Sequence, residues 1–187
     1  MTARTHHRGR ESVAGMVVAL VVIVVFGLVV VVTRRTPSNG ATASTVSTNP
    51  TSFVLPSLDG HGDIRLASFR GKPTVVTLFA SWCSACQGEL PVFAGISRAL
   101  AGRVTFIGVN SFETGNGLAM ARQYGIGWWP LARDVGGAEA SGLHNALGGI
   151  GMPITAFYSS TGKLLAVAPG ALSEAGLQMR LQQYFGV

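Results

Sequence analysis

Hydrophobic residues follow three different rhythms along the chain. From Val13 to Val32 they are continuous: 20 uncharged residues, mostly Val, Leu and Ile. As a helix that run would be about 30 Å long, the thickness of a bilayer's hydrocarbon core. From Thr33 to Thr51 large apolar residues almost vanish and Ser, Thr, Asn and Pro dominate, the composition of a flexible tether. From Ser52 onwards, short apolar runs alternate with helical spacings.

In that last part, Phe53–Leu55 and Asp63–Leu66 read as two short strands around an Asp59-Gly60 turn. Residues 74–80, β-branched and apolar, form a buried central strand, and residues 84–100 a helix that Pro91 should kink. Val104–Asn110 is a second buried strand, Gly117–Tyr124 a helix, Leu131–Arg133 a short extended piece and Ala138–Leu147 a weaker helix. Ile154–Ser159 and Leu164–Ala168 form a hairpin about Thr161-Gly162, and Ser173 is placed to cap a last helix ending at Tyr184. Strands alternating with helices predict a three-layer α/β domain. The chain then divides into a short basic tail (1–12), a transmembrane helix (13–32), a Ser/Thr-rich linker (33–51) and a folded domain (52–187).

The net charge of +6 does not point to nucleic acid, because of where it lies. Residues 1–51 carry five arginines against Glu11, whereas the remainder carries nine basic and seven acidic residues without a basic run. The apolar run is longer than the ~7–15 residues of a signal peptide and is followed by Arg34-Arg35, so an uncleaved span is expected. No cysteine follows it to carry a lipid. Three arginines precede the span and two follow it, which favours a cytoplasmic N-terminus and an extracytoplasmic domain.

Both cysteines lie in Trp82-Cys83-Ser84-Ala85-Cys86, where the central strand hands over to a helix. Free N–H groups and the helix dipole at such a point stabilise a thiolate, so Cys83 is the candidate nucleophile. Cys86, one turn on, can resolve a mixed disulfide and close a Cys83–Cys86 disulfide. A zinc half-site would need two more ligands, and His61 and His144 lack the spacing. Glu89 lies three residues past Cys86 on the same helical face, where a partly buried carboxyl could exchange a proton with that thiol; a solvated helix position is the alternative. Trp82 is placed to shield one flank of Cys83. Of the adjacent Trp128 and Trp129, one should face outward.

The segments Phe53–Gly60, Leu66–Pro73, Trp-Cys-x-x-Cys and Glu89-Leu90-Pro91 together resemble the membrane-anchored TlpA/ResA/DsbE-like thiol-disulfide oxidoreductases of the thioredoxin superfamily. The resemblance implies a thioredoxin-like fold with an N-terminal β-hairpin and a helix-containing central insertion. It implies an acid at Glu89, and a cis-proline at Pro153 facing the cysteines, which would expose the Met152 backbone to substrate. The sequence itself does not assign that isomer. One departure stands out: thioredoxins proper carry a buried aspartate where this chain has Thr77, so a proton relay would fall to Glu89. The expected cofactor is none beyond the redox-active cysteine pair. Expected partners are proteins carrying disulfides or thiols, a membrane-embedded electron donor or acceptor, and the lipid bilayer through 13–32. A reductase of the cytochrome c maturation type is the leading expectation. An oxidant of secreted proteins and a non-catalytic copper-delivery factor are the alternatives, and nothing resembles a peroxidatic cysteine motif.

Overall fold

The computed structural model describes residues 47–134 and 142–187, whose strands fall into two sheets. β1 (Val54–Pro56) and β2 (Asp63–Arg65) make a small antiparallel hairpin, followed by one 3-10 turn, Leu66–Phe69. The five-stranded sheet has the order β5 (Leu131–Arg133), β4 (Thr105–Asn110), β3 (Thr74–Phe79), β6 (Ile154–Tyr158), β7 (Leu164–Pro169). β3, β4 and β5 run parallel, while β6 is antiparallel to both β3 and β7. The helices are α1 (Ser84–Ala99), α2 (Gly117–Gln123), α3 (Leu143–Ala146) and α4 (Glu174–Phe185).

β3 is buried along its whole length, as a β-branched central strand covered on both faces must be. Its side chains alternate between two cores. Val75 and Phe79 face a cluster with Phe93 of α1, Met120 of α2 and Leu177 and Leu181 of α4. Val76 and Leu78 face the other, with Phe53 and Leu55 of the hairpin and Leu143 of α3. The three layers are therefore helices, sheet, and a thinner layer of hairpin and α3. The buried stripe of α1 runs Cys86, Glu89, Leu90, Phe93, Ala94, Ser97, the three- and four-residue spacing of an amphipathic helix with one acid inside it. That helix continues through Pro91 to Ala99. α4 is capped as expected, Ser173 Oγ accepting the Gly176 N–H at 3.1 Å, and it ends on Gly186 in the left-handed region.

The tail 1–12, the run 13–32 and residues 33–46 of the linker lie outside the described residues, as do 138–141 of the weaker helix; its described part is the single turn α3. Among the described residues no helix is long and apolar enough to cross a membrane. Trp128 and Trp129 sit in a turn, not an extended piece. Trp129 is buried with its indole N–H donating to Ser97 Oγ, and Trp128 is half exposed.

Packed structure also reaches into the segment read as linker. Ser47 pairs with Val54, and Asn49 Oδ1 accepts the Thr51 N–H, turning the chain so that the Pro50 carbonyl accepts the buried Tyr158 hydroxyl at 2.7 Å. Tyr158→Phe removes that bond. It should lower the unfolding free energy in urea by about 1 kcal/mol and speed proteolysis between residues 47 and 52. Unchanged stability and cleavage would show that the segment is not tied down there.

Candidate active site

β3 ends at Phe79, and the chain turns through Ala80–Trp82 into α1, whose N-cap is Cys83. Cys83 and Cys86 are joined as a disulfide, and Cys83 Sγ accepts the Cys86 N–H at 3.1 Å. The sulfur of Cys83 thus meets one of the N–H groups of the helix start. Exposure is less than a freely accessible thiol would have: Cys83 is 4% exposed and Cys86 0%, both inside the core that holds Leu90 and Phe93. The asymmetry still marks Cys83 as the outer sulfur.

Glu89 is no solvated helix residue. It is 3% exposed, with Oε1 accepting the Thr77 hydroxyl at 3.1 Å and Oε2 accepting the Leu172 N–H at 2.7 Å. Thr77, the residue at the position of the missing aspartate, is thus its partner, and Thr155 across the strand pair donates to Thr77. Burial raises the Glu89 carboxyl to about 7 against the lowering effect of the two hydrogen bonds. A carboxyl that titrates there can take or give a proton near neutrality.

Antiparallel pairing sets Ile154, at the start of β6, opposite Leu78, near the end of β3, so the loop before β6 arrives beside the cysteine turn. Met152-Pro153 is a cis peptide; Pro153 is buried and Met152 half-buried. Trp82 is 53% exposed and donates its indole N–H to the Phe112 carbonyl at 2.7 Å. Trp82, Phe112, His144, Ile150, Gly151 and Met152 are among the residues lining an open groove of about 400 Å³. The expected contact residues Trp82 and Met152 are therefore brought together.

Two residues here escaped the sequence reading. His144, noted in the sequence only as lacking metal-ligand spacing, is buried with Nε2 2.9 Å from the Gly151 carbonyl and its ring edge-on to Phe112. Gly149 makes room for it, because a Cβ there would collide with the imidazole. Glu113 accepts from the Ser81 N–H at 2.9 Å and from Asn110 at 2.7 Å. Its burial is outweighed by hydrogen bonds from Ser81, Asn110 and Gly115, which hold it at about 2. Its position just past the carboxyl end of β4 was the available signal, since α/β sheets gather their sites at that edge. Among the described residues no three His, Cys, Asp or Glu side chains are grouped as metal ligands.

A Cys-x-x-Cys disulfide at the start of the helix following the central strand of such a sheet defines a thioredoxin-like thiol-disulfide oxidoreductase. The chain belongs to the AhpC/TSA family, whose profile matches residues 46–166. It is 25% identical over 143 residues to the thiol-disulfide oxidoreductase ResA of Geobacillus thermodenitrificans (strain NG80-2), covering 75% of this chain and 79% of that protein. A shorter match, 34% over 58 residues and 31% of each chain, is to the thiol:disulfide interchange protein DsbE of Pseudomonas fluorescens biotype C. The solved structure of MTB dsbF, in mixed oxidised and reduced forms, superposes with a TM-score of 0.62 at 28% identity, covering 75% of this chain and 99% of that one.

Because the folded Glu89 carboxyl holds its proton up to about 7 and an unfolded one releases it near 4.5, the folded state binds the extra proton between these values. Stability of the oxidised protein should therefore fall as pH rises from 4.5 through 7, by up to about 3 kcal/mol, and then level off. Glu89→Gln should abolish this fall and be the more stable form at pH 8. Parallel curves for the two proteins, followed by urea unfolding, would refute the assignment.

Proposed function

We propose that the chain is a membrane-anchored reductase of protein disulfides on the extracytoplasmic face. The observation that carries the exchange cycle is the cysteine pair at the start of α1 with the buried Glu89 one turn behind Cys86. The Cys83 thiolate attacks one sulfur of a substrate disulfide, forming a mixed disulfide and releasing the other substrate sulfur as a thiolate that takes a proton from water. Cys86 gives its proton to the Glu89 carboxylate and attacks Cys83 Sγ. The Cys83–Cys86 bond forms, the second substrate sulfur leaves, and Glu89 returns the proton to it. Two electrons pass from the pair to the substrate. Trp82 and Met152 contact the substrate chain, the backbone of Met152 pairing with it beside Pro153. No cofactor beyond the cysteine pair takes part, and a membrane-embedded donor re-reduces it. That the similar MTB dsbF occurs in oxidised and reduced forms accords with such a cycle.

Direction follows from what stabilises the reduced state. An oxidant holds its thiolate tightly, so that the dithiol is favoured. Here both sulfurs are nearly dry, and an ionised Glu89 on the same helical face would repel a thiolate on Cys86, effects that oppose the pull of the helix start. These effects support a low potential and a reducing role, the kind that keeps haem-attachment cysteines reduced in cytochrome c maturation. The couple should equilibrate near or below about −250 mV; a value near about −120 mV would make the protein an oxidant, and no reversible couple would remove the exchange reading.

The anchor is the apolar run 13–32, with the basic tail 1–12 in the cytoplasm and residues 33–46 spacing the domain from the bilayer. With no cysteine besides Cys83 and Cys86, a membrane-impermeant maleimide reports topology directly. After reduction of intact cells it should label the chain, and carbonate washing should leave the labelled chain in the membrane. Labelling only after lysis would place the domain inside.

A further inference from the structure

The turn before Cys83 is gripped from one side by a carboxylate that the exchange cycle does not use. Glu113 stands on the loop that leaves β4. Its Oε2 accepts the Ser81 N–H at 2.9 Å and the Asn110 side-chain amide at 2.7 Å. Its Oε1 accepts the Ser81 hydroxyl and the N–H groups of Thr114 and Gly115, at 2.9 and 2.7 Å for the latter two. From the other side, Gln87 of α1 donates to the Ser81 carbonyl at 3.1 Å. Ser81 is thus bonded at its N–H, its hydroxyl and its carbonyl, although it lies outside both strand and helix.

A second observation is independent of these bonds. Phe112, next to Glu113, has φ of 53°, the single non-glycine residue in the left-handed region among the described residues. A bulky aromatic adopts that backbone only when its surroundings impose it, and such sites gather where function needs them. Here it turns the Phe112 carbonyl onto the Trp82 indole N–H and its ring onto His144. The loop closes tightly on the turn: a Cβ at Gly115 would lie 2.6 Å from Ser81 Oγ, and one at Gly117 would run into the Asn110 side-chain amide.

We propose that Glu113 is a positioning residue for thiol–disulfide exchange: it locks the Ser81–Trp82 turn to the Ser111–Gly115 loop and so fixes the Trp82 indole next to Cys83. The inference rests on the exchange cycle proposed above, with Trp82 as a wall against which the substrate chain is laid. Glu113 acts on the reaction only through the turn, never on the sulfur. Held as a carboxylate across the neutral range, it keeps its grip where Glu89 changes its charge.

The test uses the full-length chain in detergent with 5-fluorotryptophan in place of its three tryptophans, Trp82, Trp128 and Trp129. In Glu113→Gln the amide keeps the shape of the side chain but loses an acceptor. The Trp82 fluorine resonance should shift and broaden while those of Trp128 and Trp129 stay, and the rate constant for reducing a protein disulfide should fall about tenfold, the scale of a misplaced contact. Ser81→Ala, which removes one donor, should move the same resonance and cost about threefold; it stands alone if Glu113→Gln does not fold. Unmoved resonances with unchanged rates, or all three resonances moving together, would overturn the proposal. A parent protein without a reversible cysteine couple would sink the exchange reading instead, and the resonances would still report whether Glu113 holds Trp82.

Discussion

A carboxyl group sits in the apolar stripe of α1, and much of the domain is arranged around keeping it there. Burying Glu89 removes it from water, and among the described residues no basic side chain pairs with it. Its partners are two neutral donors, the Thr77 hydroxyl and the Leu172 N–H. Those donors come from the central strand and from the segment leading into α4, so one side chain ties helix, sheet and C-terminal helix together. Two neutral hydrogen bonds do not offset the full loss of hydration, and the group answers by binding its proton more tightly. Removing either donor would leave the acid with a single partner.

The same constraint gives the site its division of roles. Two carboxyls flank the cysteine turn, and their surroundings drive them apart, Glu89 to about 7 and Glu113 to about 2. Divergence of this kind separates a group that can move protons from one that serves as a fixed charge. Glu89 lies on the helix with Cys86, the inner sulfur, whereas Glu113 grips the turn on the outer side. In the proposed cycle, proton handling and substrate alignment therefore fall to different residues that do not share a hydrogen bond.

What the sequence disclosed follows the range of the interactions involved. The β3 strand, the α1 stripe and the Cys83–Cys86 pair were legible because their signals are local: a β-branched run, a three- and four-residue spacing, two thiols one turn apart. Glu89 was half legible. Its spacing put it on the face of Cys86, but its burial depends on Thr77 and on Leu172, which lies 83 positions along the chain. Glu113 showed only its place past β4, since Ser81 becomes its partner when loops from separate strands meet; His144 has Gly151 seven positions on, but Phe112 reaches its ring from the loop after β4. The start of packed structure at Ser47 was hidden for the same reason: Pro50 finds Tyr158 across 108 positions.

The meeting of those loops is a consequence of strand direction. β3 and β4 are parallel with Phe79 opposite Asn110, so both strands deliver their following loops to one edge of the sheet. β6 runs the other way, so it is the loop before it, carrying Met152 and Pro153, that reaches the same edge. A parallel β6 would carry that loop to the far end and leave the cysteines facing a single wall. A slip of one residue in its register would turn Thr155 away from Thr77 and Glu89, putting Ile154 or Ala156 in its place. The surroundings of Cys83 thus rest on a pairing between strands as well as on the helix that follows it in sequence.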